Sequence, residues 1–459
     1  MSDSFRTPSV LAPVRGPVLF ADDEGFAAEA AVFNTAVAHR PYVVVGASDE
    51  ADVRAAVRFA RQEGRSVAVL NTGHGPSVSV SDGAVLITTR RMAGVEIDAG
   101  QRVARVEAGV TWGQVVEEAA KVGLAPLAGS SPQVGVVGYT LGGGVSIALG
   151  RAFGYAADHV RAVEVVTPDG ELRHVTPQTS PDLFFALLGG KGNFGVVTAM
   201  VFDLFPVTEV YGGFLQFAGE DARAVLEAYR VFAAGAPDEV TSSVVFLRAP
   251  DLPFVPEFMR GRLTVLVRVA YLGSAAEGQA LVAPLRAAAT ALVDTVGMMP
   301  AAQVAAIGND PTDPGTAVEH FAMVGELSGE VVEAILELAG PDSGGEITLV
   351  NLSQLGGALG RPAGRPSAVR RDLAFAVFAL TVVPPGVPGL EVDRGAELVG
   401  RLAGLDGRKH PGYLSPSDAA VESVRLAYDE ATYERLRTAK TEWDPQNMFR
   451  WNFNIPPRA

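Results

Sequence analysis

Glycine gathers at three places in the first half of the chain: NTGHGPS at 71–77, AGSSPQVGVVGYTLGGG at 128–144 and GGKGNFGVVT at 189–198. A residue without a Cβ lets backbone N–H groups come close to a bulky anionic ligand and donate to its phosphate oxygens. None of the three is a Walker loop or a strand-to-helix GxGxxG, so neither a P-loop nor a Rossmann site is implied. The first loop carries His74 between two glycines, an exposed position on a tight turn. The remaining histidines, His39, His159, His174, His320 and His410, form no HExxH or paired ligand spacing, so no metal is expected. Gly144-Val145-Ser146-Ile147-Ala148 nearly spells a hydrolase nucleophile elbow but lacks the final glycine. The chain has no cysteine, which excludes disulfides, thiolate metal sites, cysteine nucleophiles and cysteinyl cofactor links.

These loops have to be held by regular elements. YVVVGAS, SVAVLNTG, VLITT, RVARVEAG and HVRAVEVVTPDG read as strands, and DEADVRAAVRFARQEG and WGQVVEEAAKVG as helices with apolar residues at helical spacing. Past residue 208 the character changes. DARAVLEAYRVFAAG and EGQALVAPLRAAATALV read as helices, and RLTVLVRVAYLG, EITLVNLSQLGGA and LAFAVFALTVVPP as strands. The alternation is that of an α+β fold. The segment from SPSDAAVESV to NFNIPP opens on a helix-start signal and ends too aromatic for a free tail, so it is expected to dock on another part of the protein.

At 459 residues the chain has room for more than one domain. Its 48% hydrophobic and 19% charged residues suit a folded, loop-rich enzyme. A net charge of −15 repels a polyphosphate strand, which argues against nucleic acid as a partner. The opening MSDSFRTPSVLAPVRGPVLF has no basic stretch followed by an apolar one, and no apolar run reaches membrane-spanning length. A soluble protein in the cytoplasm is therefore expected, with no membrane partner. Oligomeric state leaves no trace in the sequence.

The order RPYVVVGASDEADVRAAVRFAR, the TGH loop, TLGGG and DLFFALLGGKGNFGVVT resembles the berberine-bridge-enzyme-like FAD-linked oxidases of the vanillyl-alcohol-oxidase (PCMH-type FAD-binding) superfamily, within it the bacterial 6-hydroxy-D-nicotine oxidase type. LGGA at 355–358 and YERLRTAKTEWDPQNMFRWNFNIPP extend the likeness over nearly the whole chain. The resemblance implies a PCMH-type FAD-binding domain at 1–207, a substrate-binding domain at 208–407 with an antiparallel sheet backed by helices, and a segment at 408–459 that returns to the FAD domain. It implies that His74 attaches to the flavin 8α-methyl group, a role that needs a neutral, accessible imidazole. Asn71, Thr72, Gly73, Gly75 and Ser77 would face the pyrophosphate, Gly129, Ser130, Gly135, Gly138, Gly142 and Gly143 would line the flavin, Val197 would meet the adenine, and Asn452 and Asn454 would close over the ring.

Departures from the family pattern sharpen these expectations. Ser131 stands where many relatives carry a second, cysteinyl link, so FAD should have one covalent bond. Val134 stands where oxygen-reactive relatives carry a small side chain, which favours oxygen as electron acceptor. Leu70 replaces a frequent arginine, and Lys191 interrupts a glycine run; a solvated surface position is expected for it, the alternative being that it balances the flavin's phosphate charge. Pro416 replaces the tyrosine that often serves as base, leaving Tyr413 and Tyr139 as candidate catalytic groups. The implied activity is hydride removal from a C–H next to oxygen or nitrogen of a small molecule, a secondary metabolite, with hydrogen peroxide formed from oxygen. The alternative is a flavin-retaining cyclase or isomerase without net oxidation.

Overall fold

The computed structural model describes residues 8–75, 78–81, 83–251, 255–384, 390 and 392–458. Two sheets form the part of the chain that carries the glycine loops. In the first, β1 (Val18–Leu19), β2 (Val43–Gly46), β3 (Val67–Leu70) and β4 (Val85–Thr88) lie in the order β1-β2-β4-β3, with β2, β4 and β3 parallel. Val43 to Val45 are fully buried: the helix Glu50–Gln62 covers Val43 and Val45 with Val53, Ala56, Val57, Phe59 and Ala60, while Val44 packs with Leu70 and Leu86 on the other face. Asp49 starts that helix by accepting the Asp52 N–H.

The second sheet is antiparallel: β5 (Val95–Asp98), β6 (Val103–Glu107), β7 (Val160–Val166), β8 (Leu172–Val175) and β9 (Val196–Asp203), in the order β5-β6-β9-β7-β8. The third glycine loop runs directly into β9.

A third, eight-stranded antiparallel sheet follows. It contains β10 (Glu209–Ala218), β11 (Val240–Arg248), β12 (Leu263–Tyr271), β13 (Val293–Asp294), β14 (Gly297–Pro300), β15 (Ala317–Val324), β16 (Leu349–Gln354) and β17 (Phe375–Val382). The main path is β13-β10-β12-β11-β16-β17-β15, and β14 also pairs with β10. Helices Ala222–Gly235, Ala275–Arg286, Gly329–Ala339 and Arg394–Ala403 supply Leu226, Tyr229, Val282, Leu285, Ile335, Leu398 and Leu402 to one core under the sheet. Strands β10, β11 and β15 go beyond the elements that the sequence pattern singled out. The helix read from EGQALVAPLRAAATALV stops at Arg286, and Val293 belongs instead to β13.

The C-terminal segment is tied down by a buried knot. The Lys440 ammonium donates to Asp444 Oδ2 at 2.7 Å, to the Asn193 carbonyl at 2.7 Å and to the Phe449 carbonyl at 3.1 Å. Asn193 in turn donates to the Phe453 carbonyl and accepts the Ile455 N–H. The Val67 N–H donates to the Met448 carbonyl and Trp451 Nε1 to Ser66 Oγ. Fixed this way, the tail lies against the third glycine loop and the start of β3.

Candidate active site

Strand β3 ends at Leu70, and the chain turns through Gly73 at φ 71°, where a Cβ would come within 2.7 Å of the Val32 Cα. Only glycine lets this turn press so closely on the neighbouring segment. The close approach brings the His74 ring onto Phe33, stacked with centroids 3.9 Å apart. Both ring nitrogens of His74 are buried and, among the described residues, have no hydrogen-bond partner. Burial lowers its pKa against the opposing pull of Asp310, so the imidazole is neutral at neutral pH.

The second loop docks on the first. A Cβ on Gly135 would lie 2.6 Å from Asn71 Nδ2, which donates to the Ala108 carbonyl at 3.0 Å. Tyr139, on the short helix Val136–Leu141, packs edge-on against Trp112 at 5.3 Å and donates its hydroxyl to the Leu127 carbonyl at 3.2 Å. Tyr413 packs 5.8 Å from Phe321 and 5.3 Å from His410. Burial pushes both phenols well above their ordinary range, so both hold their protons at neutral pH. His410 is fully buried and held down to about 3 by burial and by the nearby Lys191 charge. Its Nδ1 accepts the Gly412 N–H at 3.0 Å, and its Nε2 has no partner.

Between these loops, the tail and the third sheet runs a cavity of about 590 Å³, within the range of small-molecule sites. The sequence candidates Asn71, Thr72, Gly73, His74, Gly75, Gly129, Ser130, Gly135, Gly138, Tyr139, Gly142, Val197, Tyr413 and Asn452 all line it. Gly143 and Asn454 do not; the Cβ position of Gly143 faces Val369, His410 and Tyr155, and Asn454 Oδ1 is buried without a partner. Ser77 lies outside the described residues.

The structure also adds to the site residues that the sequence reading had not placed there. Lys191 lines the cavity instead of facing solvent, with its backbone at φ 55°, its ammonium 5.0 Å from the Phe453 ring centroid and its pKa lowered by burial to about 8. Its position after Gly189 and Gly190 in a kinked turn carries the side chain inward. His410, Ser243, Arg268, Phe321, Asn351, Ser353 and Phe378 complete the wall.

Two family models match this chain: an FAD binding domain over residues 41–176, and the berberine and berberine-like segment over 421–456. The matched regions supply the glycine loops 71–77 and 128–144 and the docked tail. These matches mark the chain as an FAD-linked oxidoreductase with a berberine-like C-terminal segment.

This FAD-linked oxidase is similar along its full length to the (R)-6-hydroxynicotine oxidase of Paenarthrobacter nicotinovorans, at 29% identity with 100% of both chains covered. An FAD-linked oxidoreductase of Dictyostelium discoideum is 25% identical over 93% of this chain and 91% of its own. Among solved structures, the 6-hydroxy-D-nicotine oxidase of Arthrobacter nicotinovorans superposes with a TM-score of 0.83 at 28% identity, covering 97% of this chain and 98% of that one. The carbohydrate oxidase of Microdochium nivale shares the fold, with a TM-score of 0.84 at 19% identity, covering 98% and 99%.

The residues present fit FAD. The cavity of this oxidase is walled by glycines that bring backbone close, and it holds buried polar atoms without partners at His74 and Asn452. No described helix is long and apolar enough to cross a membrane.

Proposed function

We propose that this oxidase holds FAD by a single covalent bond from His74 and oxidises a small molecule at a carbon next to oxygen or nitrogen. The observation that carries the reading is His74 itself: neutral, buried at the cavity wall, with both ring nitrogens unpartnered. A neutral imidazole so placed is a nucleophile. FAD held there would supply a two-electron acceptor for substrate hydride, with oxygen as the terminal oxidant and hydrogen peroxide as its product.

The chain does the rest. The pyrophosphate is taken by backbone and side-chain donors of Asn71, Thr72, Gly73, Gly75 and Ser77. Gly129, Ser130, Gly135, Gly138 and Gly142 would line the flavin, with Val197 toward the adenine and Asn452 toward the ring. Tyr413, protonated, donates a hydrogen bond that orients the substrate, while Tyr139, whose proton goes to the Leu127 carbonyl, shapes the wall beside it; neither phenol accepts a proton. The unpartnered His410 Nε2, beside Tyr413, can accept a hydrogen bond from the substrate, but held down to about 3 it is too weak a base to keep the proton. Val134 lines the cavity, and its modest size supports oxygen as the electron acceptor. The reading divides the chain at 1–207, 208–407 and 408–459, supported by the confinement of the eight-stranded sheet to Glu209–Val382. It includes a cytoplasmic location and a secondary-metabolite substrate, for which the support is the sequence argument.

The test is anaerobic mixing of the yellow protein with small alcohols and amines, followed by admission of oxygen. Bleaching of the flavin, then recovery with one peroxide per turnover, is the expected result. Product formation with no bleaching and no peroxide would replace the oxidase with the cyclase or isomerase reading.

A further inference from the structure

The third sheet turns one face to its helices and the other to the cavity, and the cavity face has a pattern. Strand register places Arg268 on β12 opposite Ser243 on β11, and Ser243 opposite Ser353 on β16. One row along, Asn351 on β16 lies opposite Phe378 on β17, and Phe378 opposite Phe321 on β15. All six side chains line the cavity. The two phenylalanine rings stack at 4.8 Å with an interplanar angle of 16°, a flat apolar plate at one end. At the other end stands the guanidinium.

Arg268 is charged and mostly buried, yet among the described residues it is held only by its donation to the Gly308 carbonyl, and its Nε has no partner there. Asp310 lies near enough to favour its charge but forms no ion pair with it among the described residues. Among the described residues the lining includes Lys191 and Arg268 but no aspartate or glutamate, in a chain whose net charge is −15. A buried cation without a counter-charge is costly unless an anion joins it. A cationic amine would meet the same wall with nothing to pair it.

We propose that this face selects a flat, aromatic substrate bearing a carboxylate, with Phe321 and Phe378 covering the ring, Ser243, Asn351 and Ser353 in the middle, and Arg268 pairing with the carboxylate. The inference rests on the proposed function, in which the cofactor takes the glycine-lined wall opposite. Arg268 and Phe378 are three strand spacings apart, roughly 14 Å at the backbone, so a short chain separates ring from carboxylate.

The test uses the flavin-loaded protein and three matched probes: 4-phenylbutyrate, its amide and 4-phenylbutylamine. Binding is read from the shift of the flavin absorbance bands. The carboxylate should bind at least about tenfold tighter than the amide, in line with a charge-assisted hydrogen bond, and the amine should bind weakest. Arg268→Gln should abolish the preference, and Arg268→Lys should keep part of it. Equal affinities, a preference for the amine, or no response to any probe would overturn the inference while leaving a yellow protein and the oxidase reading intact. Loss of yellow colour in both Arg268 variants would overturn it in another way, by assigning the guanidinium to FAD itself. A colourless wild-type protein would instead defeat the oxidase reading.

Discussion

Gly73→Ala is the perturbation most sharply defined by the structure. At φ 71° an alanine pays about 1–2 kcal/mol for the left-handed conformation. Its Cβ would also lie 2.7 Å from both the Cα and the Cβ of Val32, and because the nearest atom is backbone, relief needs a main-chain shift of about 1–3 kcal/mol. The sum is about 2–5 kcal/mol, which for cooperative unfolding of a chain this long lowers Tm by roughly 2–5 °C. The shift also moves His74 off Phe33, so covalent flavin should fall with it. Gly75→Ala is the control on the other side of the histidine: its φ lies outside the left-handed region and its Cβ would meet nothing within 4 Å. It should leave the Tm of flavin-depleted protein unchanged and impair flavin uptake only if backbone approach to the cofactor matters there. The assay is thermal unfolding of flavin-depleted protein, paired with flavin content after reconstitution. A Gly73→Ala protein as stable and as fully loaded as the parent would refute the reasoning, as would an equal Tm loss in Gly75→Ala.

Two further perturbations act on charge. Lys191→Met should lower the reduction potential of the bound flavin by roughly 40–90 mV, the equivalent of about 2–4 kcal/mol between a buried ammonium and an anionic reduced ring a few ångströms away. In the parent the potential should drop more steeply above about pH 8, where Lys191 loses its proton, and that inflection should vanish in the variant; an unchanged potential would remove Lys191 from the flavin's surroundings. Glu319, beside Asn34, is raised by burial to about 7, so the folded protein holds its proton more tightly than the unfolded chain does. Stability from this group is full below the carboxyl's ordinary range and is lost as pH rises through about 7, so Glu319→Gln should stabilise the protein by about 2–3 kcal/mol at pH 8 and by little at pH 4. Urea unfolding at both pH values checks this, and a variant gaining equally at both would contradict the burial argument.

What could be read from the sequence was what local geometry demands. A histidine between two glycines, and glycines clustered in loops, signal close backbone approach whatever the rest of the chain does. Val43 to Val45 and the helix that follows announce themselves by apolar period. The opposite wall was hidden because strand register alone assembles it: Arg268, Ser353 and Phe321 lie far apart in the chain, and no spacing links them. Strand β10 is interrupted by Gly212 and Gly213, and β11 by Thr241, Ser242 and Ser243, so neither shows a clean alternation. Those same polar residues in an apolar strand were the available signal for a lined cavity. Lys191 misled for a different reason, since a lysine in a glycine-type backbone conformation looks like surface until the kink before it is seen. The phenols of Tyr139 and Tyr413 were legible as site residues, but their burial, which keeps them protonated, was not.

The central claim is the bond from His74 to the flavin. The most direct measurement is acid precipitation of wild-type and His74→Ala proteins, with the flavin absorbance of pellet and supernatant read separately. The account predicts yellow wild-type pellet and yellow colour released to the supernatant, or never bound, for the variant. Flavin released from wild-type protein, or retained in the His74→Ala pellet, would contradict it.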